Sequence, residues 1–174
     1  MRLNRANNAE GESVPISSRP ERVSDYPRPP QLDWSDEHIR VIALGELLIE
    51  TSKSIRILET FHPPTYYFPP DVVNQALLQP SMGRSTFCEW KGVASYFDIS
   101  AADQRLERSI WCYPRPTERF AELAGWFALY PGRMDGCWVD EEPVKPQAGG
   151  FYGGWITSRV QGPFKGDPDH PELI

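Results

Sequence analysis

Residues 85–97 read STFCEWKGVASYF, and this stretch predicts two short strands with a break at Lys91-Gly92. Its aromatic and β-branched residues favour strands, whereas its glycine favours a turn. Two further strand-like segments follow at residues 109–113 and 125–130, and each is ended by a proline. Many short strands separated by turn signals indicate an antiparallel barrel or sandwich.

Working outward, residues 39–49 predict a β-hairpin with its turn at Gly45-Glu46. A short helix is predicted after Thr51 or Ser52, because Ile55, Leu58 and Glu59 fall at helical spacing before Pro63-Pro64 stops the chain.

A strand is predicted over residues 65–68 and a second short helix over residues 71–78, with Asp71 in its first turn. Residues 117–124 predict one or two helical turns, and residues 136–140 predict the last clear strand. The predicted fold class is therefore α+β, mainly antiparallel β, with two short helices.

Composition divides the chain into three parts. Residues 1–37 are polar and proline-containing, and they predict an extended N-terminal arm. Residues 38–146 predict the core β domain. Residues 147–174 combine glycine and proline with Phe151, Tyr152, Trp155 and Phe164, so this tail is expected to pack on the core or on a partner subunit.

Charge and hydropathy exclude several classes of partner. The net charge is −6 and no basic stretch is present, so nucleic acid is not an expected partner. No apolar run approaches the roughly 20 residues that cross a bilayer, and residues 1–8 lack the apolar centre of a secretion signal. A cytoplasmic protein without membrane contact is expected.

Metal and disulfide chemistry have no sequence signal. The cysteines and histidines are widely spaced at Cys88, Cys112, Cys137, His38, His62 and His170. None of them forms a C-x-x-C pair or a helical ligand pair. We therefore expect no metal site, no disulfide and no cofactor.

Several segments in one order resemble the uncharacterised family called domain of unknown function 427. They are LETFHPPTYYFPPDV (58–72), TFCEWKGVASY (86–96), WCYP (111–114), GWFALYP (125–131) and VDEE (139–142). The tail residues 153–166 are similar to an extension seen in longer members, including cyanobacterial ones. The resemblance implies small tent-like sheets of the Mss4-like kind without that group's zinc cysteines, and it implies no activity.

The chain departs from the family pattern at two places. By this resemblance, Glu50-Thr51-Ser52 occupies the place of an Ala-Asp-Ser sequence found in many members. Glu89 occupies a place, directly after the cysteine, where proline is frequent. The first change keeps a carboxylate at a longer reach, and the second permits a looser turn after Cys88.

Cys88 and Lys91 are the candidate catalytic residues. A lysine three residues from a cysteine can stabilise a thiolate, although a small thiol that packs in a β core is the simpler explanation of Cys88. Lys91 is expected either to form an ion pair with Glu50 or Asp71, or to bind an anionic ligand such as a carboxylate or phosphate. Schiff-base chemistry at Lys91 is a third option.

Aromatic side chains suggest the walls of a pocket for a sugar, a base or another planar ligand. On one strand, Trp111 and Tyr113 are expected on one face and Cys112 on the other. The candidate ligand-binding residues are Trp90, Lys91, Trp111, Tyr113, Tyr66, Tyr67, Tyr96 and Arg56.

Three functions follow from these residues. The first is a binding protein whose aromatic and lysine pocket holds a small polar or anionic molecule. The second is an enzyme that uses Cys88 or Lys91 with Glu50 or Asp71 as acid or base. The third is an interaction or scaffold domain that forms a homodimer through the arm and the tail.

Overall fold

The computed structural model describes residues 19–173, which form mostly antiparallel β-structure. The strands are β1 Glu21–Arg22, β2 Gln31–Ser35, β3 Ile39–Ala43, β4 Glu46–Thr51, β5 Ser54–Leu58, β6 Thr65–Tyr67, β7 Leu78–Pro80, β8 Thr86–Cys88, β9 Gly92–Ala101, β10 Gln104–Cys112, β11 Phe127–Leu129, β12 Gly136–Val139, β13 Glu142–Pro143, β14 Lys145–Pro146, β15 Trp155–Ile156 and β16 Val160–Gln161. Short 3-10 helices lie at Val23–Asp25, Pro70–Val72, Gln75–Leu77, Glu118–Leu123, Pro131–Arg133 and Pro171–Leu173.

Two sheets join edge to edge and form the larger layer of the fold. One sheet has the order β2-β5-β6, and the other has the order β11-β10-β9-β7 with β8 also paired to β9. The bridge between Phe68 and Phe127 connects β6 to β11, with hydrogen bonds of 2.8 and 2.9 Å in the two directions. This joined sheet therefore runs from β2 to the edge at β7 and β8.

A four-stranded sheet of order β13-β12-β3-β4 covers one face of the joined sheet. The main core lies between the two layers, where Ile39, Val41 and Leu48 meet Ile99 and Ile110. Burial of such side chains from water supplies the main favourable free energy of folding, about 1.5–3 kcal/mol for each large apolar side chain.

The opposite face of the joined sheet carries a second cluster that includes Ile57, Tyr67, Trp111 and Tyr113. Cys112 belongs to the main core instead. The predicted alternation along residues 111–113 is thus confirmed, and it arises because successive strand side chains point to opposite faces.

The β3-β4 hairpin confirms the predicted strand pair, but its turn lies at Leu44-Gly45, one residue before the predicted Gly45-Glu46. Leu44 and Gly45 both have positive φ, 52° and 76°, which is the backbone of a tight two-residue hairpin turn. Glycine accepts this conformation without steric cost, whereas Leu44 is held in it by the paired strands on either side.

The two predicted α-helices are wrong. Residues 54–58 form β5 because Ile55 and Ile57 are buried while Arg56 between them is only half-buried, which is strand periodicity. Residues 71–78 form two 3-10 turns, separated by the extended residue Val73, and the start of β7. The sheets of the described residues form no closed barrel.

Both chain segments outside the predicted core contribute strands. β2, at residues 31–35, pairs with β5 although the sequence placed it in the arm, whose first 18 residues lie outside the described part. In the tail, β15 pairs with β14, and Trp155 is buried in the main core. β1 pairs with β16 in parallel and so links the arm to the tail.

Candidate functional site

A cavity of about 330 Å³ opens on the face of the joined sheet that carries the second cluster. Side chains of β5, β6, β9 and β10, with Tyr113 directly after β10, form its floor: Ile57, Thr65, Tyr67, Tyr96, Trp111 and Tyr113. Around it lie residues 86–91, the loop residues Glu59 and His62, and a tail segment from Gln147 to Gly153, together with Arg28, Tyr130 and Lys165. The volume matches the lower end of small-molecule sites.

Aromatic rings form most of the floor and are locked against each other. The Trp111 ring centroid lies 4.6 Å from that of Tyr130 and 6.4 Å from that of Tyr67, and the Trp111 indole N–H donates to the Tyr67 hydroxyl at 3.3 Å. Thr86 and Tyr96 share a hydrogen bond of 2.7 Å between their hydroxyls. A planar ligand would therefore meet rings whose positions are already fixed.

Burial raises the pKa values of several phenols that face this space. The pKa of Tyr113 rises well above its usual range through burial and the neighbouring Tyr67, and the pKa of Tyr67 also rises through burial. Burial and Tyr96 raise the pKa of Tyr130 to about 12. The three hydroxyls thus stay protonated at neutral pH and are able to donate hydrogen bonds.

The cavity wall is more positive than the chain as a whole. Arg28 lies 3.9 Å from Glu59 and 3.7 Å from Glu89, so its charge is balanced. Lys91 and Lys165 also line the wall, and within residues 19–173 neither ammonium forms an ion pair. Three cations against two carboxylates leave a net charge of +1 in a chain of net charge −6.

Lys91 lies beside aromatic rings. Its Nζ is 5.8 Å from the centroids of both Tyr113 and Phe120, a distance typical of cation–π contacts. Its backbone carbonyl accepts a hydrogen bond from the Thr117 N–H, and the Thr117 hydroxyl donates to the Trp90 carbonyl at 2.6 Å. Thr117 thus holds the Trp90-Lys91 backbone and does not cap its own helical turn.

His62 is the imidazole of the cavity wall. The side-chain amide of Gln147 donates to its Nδ1 at 3.1 Å and to the Lys165 carbonyl at 2.8 Å. Burial lowers the His62 pKa, Glu59 opposes that effect, and Lys165 and Lys91 add to it. The neutral ring therefore carries its proton on Nε2, because Nδ1 accepts from an amide that only donates.

Cys88 is half-buried in the same wall and packs against the second cluster. Cys112 and Cys137 are buried in the main core, where burial raises the pKa of both thiols, that of Cys137 to about 12. Of the three thiols, Cys88 is the one that a molecule in the cavity would meet.

The structure brings most of the predicted ligand-binding residues together at the cavity. Those that line it are Trp90, Lys91, Trp111, Tyr113, Tyr67 and Tyr96. Tyr66 points to the main core, where its hydroxyl donates to Glu37 at 2.7 Å. Arg56 pairs across strands with Tyr66 and binds Asp33 and Glu21, so it too lies on the other face.

The predicted carboxylate partners lie elsewhere. Glu50 is on β4 of the covering sheet, with its carboxylate 3.4 Å from His38, and exposed Asp71 is in the 3-10 turn after Pro69. The main core separates β4 from the cavity face. Neither carboxylate pairs with Lys91 or lines its cavity, and the enzyme hypothesis loses both proposed acid–base partners.

Other residues of the wall were not selected from the sequence. Glu59 and His62 belong to the same run of residues as Tyr66 and Tyr67, so that run did carry a local signal. Gln147, Tyr152 and Lys165 come from the tail, which reaches the cavity only through the fold.

No group of three or more acidic, histidine or cysteine side chains in residues 19–173 is arranged to hold a metal ion. Among those same residues, no helix has the length and apolar character needed to cross a membrane.

The fold and the cavity define a small antiparallel β domain with an aromatic, net-positive site. Residues 31–140 match the family model described as domain of unknown function DUF427, and these are 110 of the 174 residues. The chain belongs to this family. No curated protein matches the chain.

Proposed function

We propose that this protein binds a small planar ligand that carries a negative charge, in the cavity between the joined sheet and the tail. The observation that carries the proposal is the pair of lysines, Lys91 and Lys165, whose ammonium groups form no ion pair within residues 19–173. The two carboxylates of the wall, those of Glu59 and Glu89, lie beside Arg28 instead. An anion placed beside the lysines gains charge-assisted hydrogen bonds, which are roughly twice as strong as neutral ones.

The aromatic floor supports the planar part of the proposal. The ring centroids of Trp111 and Tyr130 are 4.6 Å apart, so the two rings pack against each other. The protonated hydroxyls of Tyr67 and Tyr113 supply hydrogen-bond donors at the same surface. Flat rings that are already fixed lose little conformational entropy when a ligand stacks on them.

Thermal-shift screening against nucleotides, sugar phosphates and aromatic carboxylates tests the proposal, followed by calorimetry of the strongest hit. Lys91→Gln is expected to weaken binding about tenfold, the loss of one charged hydrogen bond of about 1.4 kcal/mol. Lys145→Gln is the matched control, because Lys145 is exposed on β14 outside the cavity. Equal affinities for the two variants would contradict the proposal.

We further propose that the protein is cytoplasmic and forms a homodimer. The first proposal is supported by three free cysteines, which are usual in a reducing compartment. The second is supported by exposed Phe87 and Val93, which are cross-strand partners on the β8-β9 pair and present adjacent apolar surface. Light scattering on the whole chain measures the dimer directly, and a monomeric mass would refute it.

A further inference from the structure

A groove next to the cavity contains two arginines that the proposed site does not use. It is lined by Thr86, Tyr96, Glu107, Arg108, Tyr130, Arg133 and Phe151. Four of these residues, Thr86, Tyr96, Tyr130 and Phe151, also line the cavity, so the groove and the cavity adjoin each other.

Each arginine stacks on one of the two shared tyrosines. The Arg108 guanidinium carbon is 4.0 Å from the Tyr96 ring centroid, and that of Arg133 is 4.8 Å from the Tyr130 ring centroid. Planar guanidinium groups stack on aromatic rings in this way and keep their edges free for hydrogen bonds.

Backbone carbonyls fix the two guanidinium groups in place. Arg133 donates to the carbonyls of Glu107 and Arg108 at 2.7 and 3.0 Å, and Arg108 donates to the carbonyl of Arg84 at 3.0 Å. An arginine has five N–H donors, so each group retains donors beyond these contacts.

Neither arginine is neutralised. In the described part of the chain, no carboxylate forms an ion pair with Arg108 or Arg133, and Glu107 lines the groove without reaching either one. Two charged groups held in fixed positions without counter-ions are suited to a tetrahedral oxyanion, because the guanidinium fork matches phosphate oxygens.

We infer that this arginine groove binds the phosphate of a phosphate monoester whose planar ring lies in the adjoining cavity. This inference rests on the proposed function, since the ring is the ligand portion assigned to Trp111 and Tyr130. Tyr96 and Tyr130 stand at the junction, where each contacts an arginine on one side and lines the cavity on the other.

Calorimetry on the full chain with adenosine 5′-monophosphate, adenosine and inorganic phosphate separates the two sites. The monophosphate is expected to bind at least tenfold more tightly than adenosine. Arg133→Gln is expected to weaken monophosphate binding about tenfold and to leave the affinity for adenosine unchanged. Arg133 is exposed, so this variant is expected to fold normally.

Two further variants sharpen the result. Arg119→Gln removes the same charge from an exposed position outside both spaces and should leave every affinity unchanged. Glu107→Gln removes the carboxylate of the groove and is expected to strengthen monophosphate binding about two- to threefold, since like charges repel across a short distance.

The outcomes distinguish the groove from the cavity. No effect of Arg133→Gln on the monophosphate affinity overturns the groove and leaves the cavity intact, with Lys91 and Lys165 as the cations that bind the phosphate. Equal affinity for adenosine and its monophosphate overturns both, because neither pair of cations then recognises the negative charge. If inorganic phosphate binds and the monophosphate binds no more tightly than it does, the result supports the groove and overturns the cavity. Failure of all three ligands to bind overturns both.

Discussion

Asp98 is a buried carboxylate that stabilises an irregular stretch of the β9-β10 pair. The strands change register between Leu106 and Ile110, and Arg108 within this bulge has a positive φ of 48°. Asp98 accepts hydrogen bonds from the Arg108 N–H at 2.8 Å, from Ser81 and from the Arg105 side chain. The bulge that aims Arg108 at the groove therefore depends on one carboxylate.

Asp98→Asn is expected to lower the free energy of unfolding by about 2 kcal/mol, because the charged hydrogen bonds are lost inside the fold. Burial disfavours the carboxylate, but the bonds from Ser81, Arg108 and Arg105 together lower its pKa. Its contribution is thus present above the unfolded-state pKa of about 3.8 and is lost as the pH falls below that value. Urea denaturation at several pH values measures both effects.

Asp103→Asn is the control for Asp98, because Asp103 is exposed in the turn between the same two strands. A loss of stability equal to that of Asp98→Asn would show that the buried hydrogen bonds contribute nothing specific.

His62 links the stability of the fold to pH near neutrality. Its pKa in the folded state lies below the ordinary 6.5, mainly because of burial. The unfolded chain therefore takes up a proton first, and the free energy of unfolding is expected to decrease as the pH falls below 6.5. His62→Gln should flatten this dependence in denaturation experiments, while His38→Gln, which replaces a partly exposed imidazole, should retain it.

At the level of elements, the tail strand β15 completes the main core. Trp155 is 1% exposed and its ring lies 4.9 Å from Tyr66 and 5.8 Å from Phe68. Trp155→Ala is expected to cost about 3–5 kcal/mol of stability, as large-to-small changes of buried aromatics do. Phe151→Ala, from the same tail but with a side chain 77% exposed, should change stability by less than about 0.5 kcal/mol.

Thermal denaturation of the two tail variants measures this difference. Similar melting temperatures would mean that the tail covers the core without stabilising it.

The sequence predicted the strands of this fold better than its helices. The alternation at residues 111–113 and the hairpin at residues 39–49 carry local patterns, and both are confirmed. A helix was predicted after Ser52 because Ile55 and Leu58 are at helical spacing. That prediction is wrong, because the buried side chains are those of Ile55 and Ile57, which are at strand spacing. Periodicity over so few residues does not separate the two structures.

The candidate site divides in the same way. Lys91, Trp111 and Tyr113 were selected by their neighbours in the chain, and all three line the cavity. Glu50 and Asp71 were assigned to Lys91 only by residue type, and β4 carries Glu50 in the other layer. Lys165 and Gln147 reach His62 from about a hundred residues away in the sequence, a distance over which no local pattern gives information.

For the whole molecule, the tail and the core are expected to unfold as one unit. Deleting residues 147–174 removes Trp155 from the main core and removes the strand partners of β14 and β1. We expect loss of the cooperative transition in calorimetry together with binding of a hydrophobic dye.

If the whole chain is a dimer and the shortened chain is a folded monomer, that expectation is contradicted. Such a result would show instead that the tail holds two subunits together, and light scattering distinguishes the two outcomes.

The pairing of β1 with β16 also has a consequence for protein synthesis. A ribosome makes Arg22 well over a hundred residues before it makes Val160 and Lys165, yet the cavity wall needs Lys165 and Gln147 beside His62. Domains take shape from their N-terminal side as the chain emerges, and contacts between distant residues form slowly. The cavity wall is therefore the last part of the domain to be assembled, and a nascent chain that stops before residue 165 exposes the aromatic floor without Lys165 and the rest of the wall.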